Sequence, residues 1–341
     1  MTVDISTGEE DAGQRLDRWY RRRIGPVSQA HLERLCRQGQ IRVDGRRVRC
    51  ATRLLSGQAV RLPPNHSPLP GPDASGTLSA AHNQAGSVLA NPLYEDDHFL
   101  AINKPAGLAT QGGTGQHRHL DQILAGPDAD GGRFRLIHRL DKATSGILLL
   151  GKTLPAVRAM GAMFQDRSVR KDYLAVTIRP PEPEDGVITI CLQTAGRHHG
   201  VRWKRADTLA PQSGEKTAVT AYRTLRTSES GPALLALTPQ TGRKHQLRAH
   251  LAAIGCPILG DRRYGITRDQ RKAMPWHTAL DDALHLHASS LEFMHPLTRR
   301  HIHINAPLSA HIRRACVHFG WPETYGSRDR VAGLSDGDAA G

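Results

Sequence analysis

The sequence predicts an α+β protein in two parts, a small segment at 13–63 and a larger sheet-based domain at 93–322. Three observations predict it. The small segment holds two short helical patterns followed by a hairpin signal. Residues 64–92 are rich in Pro, Gly, Ser, Ala and Asn and poor in large apolar residues, the composition of a linker. Beyond them, short apolar runs recur between turn residues, the pattern of strands in a large sheet. A chain of 341 residues with 38% hydrophobic content is long enough to bury two cores.

Taken in order, residues 1–12 are acidic and polar and read as a flexible tail. Arg15–Arg23 reads as a helix with Leu16 and Trp19 three apart on one face, broken by Pro26. Ser28 is placed to cap a second helix, Gln29–Arg37, with Leu32, Leu35 and Cys36 turned inward. Ile41-Arg-Val-Asp-Gly-Arg-Arg-Val48 alternates apolar and polar residues around Asp44-Gly45, a hairpin. After the linker, order resumes at Leu93–Asn103. Strands are expected at Ile147–Leu150, Tyr173–Ile178, Val187–Cys191, Leu234–Leu237 and Ile302–Ile304, with a helix at Pro155–Phe164. Past Trp321 the composition turns to Gly, Ser, Asp and Arg, so 323–341 is expected to be a disordered tail. No internal repeat is present.

The formal net charge is +14, and its distribution is informative. Residues 13–62 carry thirteen arginines, no lysine and three acids (Asp17, Glu33, Asp44), hence ten of the fourteen net charges. Arginine pairs bidentately with phosphate and stacks on bases, so this segment points to a nucleic-acid partner. Arg15, Arg18, Arg34, Arg37, Arg42, Arg46 and Arg47 are the candidate contacts. The longest apolar run, Ile147–Leu150, is far too short to span a membrane, and the N-terminus lacks the pattern of a signal peptide. Five scattered cysteines argue against a disulfide framework and for a reducing cytoplasm.

The most informative stretch for chemistry is His138-Arg-Leu-Asp-Lys-Ala-Thr-Ser-Gly-Ile-Leu-Leu-Leu150, where polar residues crowd a loop just before a buried strand. Asp141 lies between Arg139 and Lys142, cations that favour a charged carboxylate fit for nucleophilic attack. On chemistry alone Asp141 reads equally well as a turn cap or a partner for Arg139. Gly146–Thr153 formally matches the phosphate-binding loop G-x-x-x-x-G-K-[ST]. Its four intervening residues are Ile and three Leu, a strand rather than a pliable cradle, so no nucleotide cofactor is expected. Nineteen histidines, among them the pairs His285/His287, His301/His303 and His245/His250, invite a metal reading. No zinc signature accompanies them, and no metal is expected.

His-Arg-Leu-Asp-x-x-Thr-Ser-Gly at 138–146 resembles the signature of the RluA-type pseudouridine synthases. Ile102-Asn-Lys-Pro-Ala-Gly-Leu108, Lys171-Asp-Tyr-Leu-Ala-Val176 and Thr241-Gly-Arg-Lys-His-Gln-Leu-Arg-Ala-His-Leu251, running into Gly255–Gly265, resemble three further motifs of that family in order and spacing. The opening Gly13-Gln-Arg-Leu-Asp17, the Arg-rich second helix and the Ile41–Val48 hairpin resemble the S4 (αL-type) RNA-binding domain. The resemblance implies a catalytic domain on a large mixed, mainly antiparallel β-sheet, a monomer, and isomerisation of uridines in structured RNA without a cofactor. Gln111-Gly-Gly-Thr-Gly115 together with the S4 segment resembles the members acting on bacterial 23S rRNA. Thr194–Gln212, with Arg197, His198, His199, Arg202, Lys204 and Arg205, departs from the family pattern and is an insertion or an RNA contact.

Carried over, Asp141 is the catalytic aspartate, Tyr173 stacks near the base and is a candidate general base, and Arg139 takes the space of the flipped uridine. Leu247 packs under the uracil, and Arg243 or Arg248 pairs with Asp141. The competing reading is a non-catalytic RNA-binding or ribosome-assembly protein that keeps the fold. Such a protein is free to lose Asp141, Tyr173 and the basic motif, and all are present. A metal-dependent nuclease lacks the clustered carboxylates it needs.

Overall fold

The computed structural model describes residues 3–25, 27, 29–63, 89, 91–111, 120, 124, 134–194, 201–205, 216–325 and 331. These fall into two compact units, one up to Ala80 and one from Ala81 onward.

The first unit is a four-stranded antiparallel sheet with two helices. Its first strand, β1 (Val3–Ser6), lies in the segment expected as a loose tail, and pairs with β4 (Ala59–Leu62). The acidic composition hid a two-residue period: Ile5 packs on the core while Asp4 and Ser6 are exposed. Helix α1 (Leu16–Arg23) buries Leu16, Trp19 and Tyr20, and α2 (Gln29–Gln38) buries Leu32, Leu35 and Cys36, the faces their spacing predicts. Pro26 and Ser28, the expected breaker and cap, lie outside the described residues. Between β2 (Arg42–Val43) and β3 (Arg46–Arg47), Asp44 and Gly45 have φ of 48° and 72°. Positive φ at both central residues is what a two-residue hairpin of this hand requires. The strand order is β1-β4-β2-β3.

The second unit is an eleven-stranded mixed sheet. Its strands are β5 (Tyr94–Glu95), β6 (Phe99–Lys104), β7 (Arg135–Leu136), β8 (Ser145–Gly151), β9 (Arg170–Thr177), β10 (Asp185–Thr194), β11 (Val201–Arg205), β12 (Lys216–Thr227), β13 (Ala233–Pro239), β14 (Leu286–Met294) and β15 (His301–Asn305). The order is β11-β10-β12-β13-β9-β14-β8-β6-β5, with β15 on β14 and β7 on β8. Every pairing is antiparallel except β14 with β8. All five apolar runs read as strands lie in strands, except that β9 ends at Thr177, one residue short of Ile178. The expected helix is α3 (Leu154–Gln165), capped by the Thr153 hydroxyl, which accepts from Ala156 N–H. Helices α4 (Gln246–Ala253), α5 (Arg268–Lys272) and α6 (Ala310–His318) complete the unit.

Alternation along β9 divides the core. Ala175 faces a cluster with Leu237, Leu247, Leu251 and Ile258, while Leu174 and Val176 face Leu234, Trp276, Ile312 and Trp321 on the other side. The described residues extend past Trp321 to 325, with 331 beyond. Glu323 pairs with Arg313, Tyr325 packs on the second cluster, and the Val331 carbonyl accepts from Arg170 Nη2 at 2.7 Å. The expected linker at 64–92, the Gln111–Gly115 stretch and Arg197, His198 and His199 lie outside the described residues, save for Leu89, Asn91, Pro92 and Gln111. Arg202, Lys204 and Arg205 lie on β11.

Candidate active site

Asp141 sits in a turn that enters β8, with Thr144 N–H donating to its carbonyl at 3.1 Å. The turn is held from two sides. The Thr110 hydroxyl donates to Leu140 O at 2.8 Å, and Gly107 N–H donates to Lys142 O at 2.8 Å. Lys104 from the Asn-Lys-Pro motif is fully buried, and its ammonium donates to Pro105 O (2.9 Å), Leu108 O (3.0 Å) and Lys142 O (3.4 Å). Burial pulls its pKa down to about 7, against the opposing pull of Asp141. That motif therefore builds the floor of the loop. His138 stacks on Phe164 and accepts from Leu149 N–H at 2.9 Å; burial, then Lys171, lowers its pKa to about 3, so it stays a neutral acceptor.

Gly146 explains the Ser-Gly pair that follows. Its φ is +109°, and a Cβ there would lie 2.2 Å from Ala288 O, across the single parallel contact between β8 and β14. Gly146→Ala is expected to destabilise the protein by at least about 1–3 kcal/mol from backbone strain, with the clash in addition. A thermal melt indistinguishable from that of the unaltered protein would contradict this close approach.

The partner of Asp141 is Arg248. Its Nη1 lies 3.7 Å from Asp141 Oδ2, while its Nε and Nη2 form a two-pronged pair with Asp261, both bonds 2.7 Å. Burial works against the charge of Arg248, but its bonds to Asp261 and the nearby Asp141 more than offset this and raise its pKa. Burial likewise pushes the Asp261 carboxyl up, yet Arg248 and the N–H groups of Tyr264 and Arg263 hold it below its ordinary value. Arg243, the other candidate, makes no ion pair with Asp141 among the described residues; its backbone N–H caps onto Gln246 Oε1. The flanking cations differ from expectation as well. Arg139 and Lys142 are exposed, and the cation beside Asp141 comes from a helix a hundred residues on.

Tyr173 on β9 is half-buried and packs against two apolar clusters, the one that holds Leu247 and the one that holds Leu108 and Leu140. This puts a ring and an apolar floor beside the Asp141 turn. Burial, then the charges of Asp141 and Asp172, push its phenol above the ordinary value. Sequence reasoning also passed over His245 as a neighbour of Asp141, with Nε2 at 3.7 Å, and Asp261 as the anchor of Arg248. The available signal was a lone acid in the basic stretch Gly260-Asp-Arg-Arg263.

The decoys resolve simply. Gly146–Gly151 is buried strand, with no loop to cradle phosphate. His285 is engaged by Ala283 O, His287 by the Ser145 hydroxyl and His301 by Glu292. Among the described residues no three His, Cys, Asp or Glu side chains are placed to hold one metal ion. No helix among them is long and apolar enough to cross a membrane.

In the Arg-rich unit, Arg18, Arg34, Arg37, Arg46 and Arg47 are exposed. Arg15 is instead held by Asp17 through bonds of 3.1 and 2.6 Å, and Arg42 by the carbonyls of Gly39 and Gly45. Both guanidinium groups therefore also brace the local structure of this unit.

A mainly antiparallel sheet carrying an aspartate turn, an arginine clamp and a tyrosine over an apolar floor matches one class of RNA-modifying enzyme. The family model described as RNA pseudouridylate synthase matches residues 98–253, and the chain belongs to the RluA-type RNA pseudouridine synthases, which are isomerases. It is 32% identical to ribosomal large subunit pseudouridine synthase C of Vibrio cholerae, over 91% of this chain and 95% of that protein. It is 31% identical to the Salmonella typhi protein of the same name, over 91% of this chain and 94% of that one. A solved structure, human RNA pseudouridylate synthase domain containing 4, superposes with a TM-score of 0.57 at 25% identity, covering 71% of this chain and 98% of that one.

Proposed function

We propose that this synthase isomerises uridines of bacterial 23S rRNA with Asp141 as nucleophile. The observation that carries the reading is the chain of charges from Asp141 through Arg248 to Asp261, set beside Tyr173 and Leu247. The reaction breaks the bond from N1 to C1′, joins C1′ to C5 and, in net, moves the proton of C5 to the freed N1, with no atoms gained or lost. A carboxylate that attacks C1′ or C6, or removes the C2′ proton, starts it. The detached or saturated uracil then turns in a pocket, for which an apolar floor and a stacking ring suffice. Arg139, long and exposed beside Asp141, suits the gap left in the RNA when the uridine flips out. The names of the relatives support the large ribosomal subunit as substrate. Pseudouridine mapping of 23S rRNA from a strain lacking this protein tests the substrate. Specific sites are expected to disappear and to return with the intact protein; a full set of pseudouridines in the deletion strain would overturn the assignment.

The S4-like unit supplies affinity in this reading. Each phosphate contact releases counterions, so binding falls with salt at a slope of about 0.7–0.9 per contact. Replacing Arg34, Arg37, Arg46 and Arg47 together with serine is expected to weaken RNA binding and to flatten that slope, while residual turnover at saturating enzyme is kept. An unchanged slope in a filter-binding titration means these arginines are only a solvated face.

A further inference from the structure

The scheme above leaves His245 unused, although it lies as close to Asp141 as Arg248 does. The nearest carboxylate oxygen is the same for both: His245 Nε2 and Arg248 Nη1 each lie 3.7 Å from Asp141 Oδ2. On its other side, His245 Nδ1 lies 3.0 Å from the Tyr264 hydroxyl, with the two rings edge to face at 5.7 Å. Its backbone is left-handed, φ 57° and ψ 20°, immediately before α4. A residue other than glycine holds that conformation only where its surroundings over-determine it, and such strain collects at functional sites.

We propose that His245 is a positioning residue for Asp141: with Arg248 it holds Oδ2, and so turns the other carboxylate oxygen toward the uridine. The proposal rests on Asp141 being the nucleophile. Tyr264 completes the arrangement. When its O–H donates to Nδ1, the imidazole proton sits on Nε2 and faces the carboxylate, so the tyrosine selects the tautomer. A distance of 3.7 Å is too long for a hydrogen bond and tightens when substrate closes the site. The charged groups around the ring are Asp141, Arg248, Arg263 and Lys244. Burial, helped by the three cations, outweighs the pull of Asp141 and lowers the pKa of His245, which keeps the ring neutral. A neutral donor orients the carboxylate without adding a second full positive charge that would blunt its attack. Arg248 supplies the charge, and His245 supplies direction.

Single-turnover tritium release from 5-labelled uridine in an RNA substrate, with RNA affinity measured alongside, tests this on the full chain. His245→Ala is expected to slow the chemical step about 100-fold, the scale of a misplaced reacting group, with affinity unchanged. His245→Gln, whose amide N–H reaches the place of Nε2, is expected to restore most of the rate, and His245→Asn, which is too short, is not. Tyr264→Phe is expected to cost about tenfold through the freed tautomer. A merely structural histidine predicts instead that Ala, Asn and Gln variants lose rate and thermal stability in parallel, and that result overturns the proposal. So does an Ala variant with full rate. Asp141→Asn run in the same series separates the two failures. Turnover in that variant removes the nucleophile assignment and this proposal with it, whereas an inactive Asp141→Asn beside a fully active His245→Ala removes the positioning role alone.

Discussion

Asp141→Asn is expected to abolish isomerisation while RNA affinity stays within a few fold. The amide matches the carboxylate in shape but cannot attack as an anion or take up a proton. It keeps a carbonyl oxygen near Arg248 Nη1 and His245 Nε2, so the turn entering β8 should hold its form. That turn depends on Thr110, Gly107 and Lys104, none of which bonds to the carboxylate. Binding gains slightly if anything, because a negative charge leaves a surface that meets phosphate. Tritium release under single turnover reads the chemistry and filter binding reads the affinity. Retained turnover would remove the mechanism.

The second large effect falls on stability. Arg248→Ala leaves the Asp261 carboxylate buried without its two charge-assisted bonds, and breaking a buried pair in this way costs about 3–5 kcal/mol. The pH dependence has a definite sign. The folded-state pKa of Asp261 is lowered, so its contribution is present above the unfolded value of about 3.9 and is lost as pH falls through the folded value. The gap in melting temperature between the two proteins should therefore be widest at neutral pH and shrink toward pH 4 and below, where the variant gains by protonating Asp261. Arg248→Lys should fall between them, since it keeps a charge but not the planar fork. Equal melting temperatures at neutral pH would show that the clamp carries no stability. Turnover should also fail in Arg248→Ala under conditions where circular dichroism shows it folded, because Asp141 loses its nearest cation.

The parts of this protein that were legible in its sequence are those where neighbours along the chain settle the outcome. Ile147–Leu150 reads as buried strand because four bulky apolar residues stand together, and β8 is buried along its whole length. Leu16 with Trp19 and Leu32 with Leu35 read as helix faces because the spacing alone places them inward. The motif around Asp141 marked a polar turn leading into a buried strand, and the structure has that turn. Helix α4 was not legible, for the opposite reason. Gln246 through Leu251 are all buried, so no polar face alternates with an apolar one to betray the period. Strand β1 does alternate, but the acidic composition of the segment around it masked the period.

By itself, then, the sequence determined the sheet-based core, the Arg-rich unit with its hairpin, and the polar loop that carries Asp141. Only the tertiary structure decided that Arg248 rather than Arg243 lies beside Asp141, that Arg139 and Lys142 are exposed, and that Arg15 and Arg42 bond to acceptors within their own unit. The reason is physical. Helical and strand periods are local and repeat every two to four residues. Charge pairing depends instead on distances between residues as far apart as Asp141, Arg248 and Asp261, and those are fixed only when the loop entering β8 and helix α4 pack on the same face of the sheet.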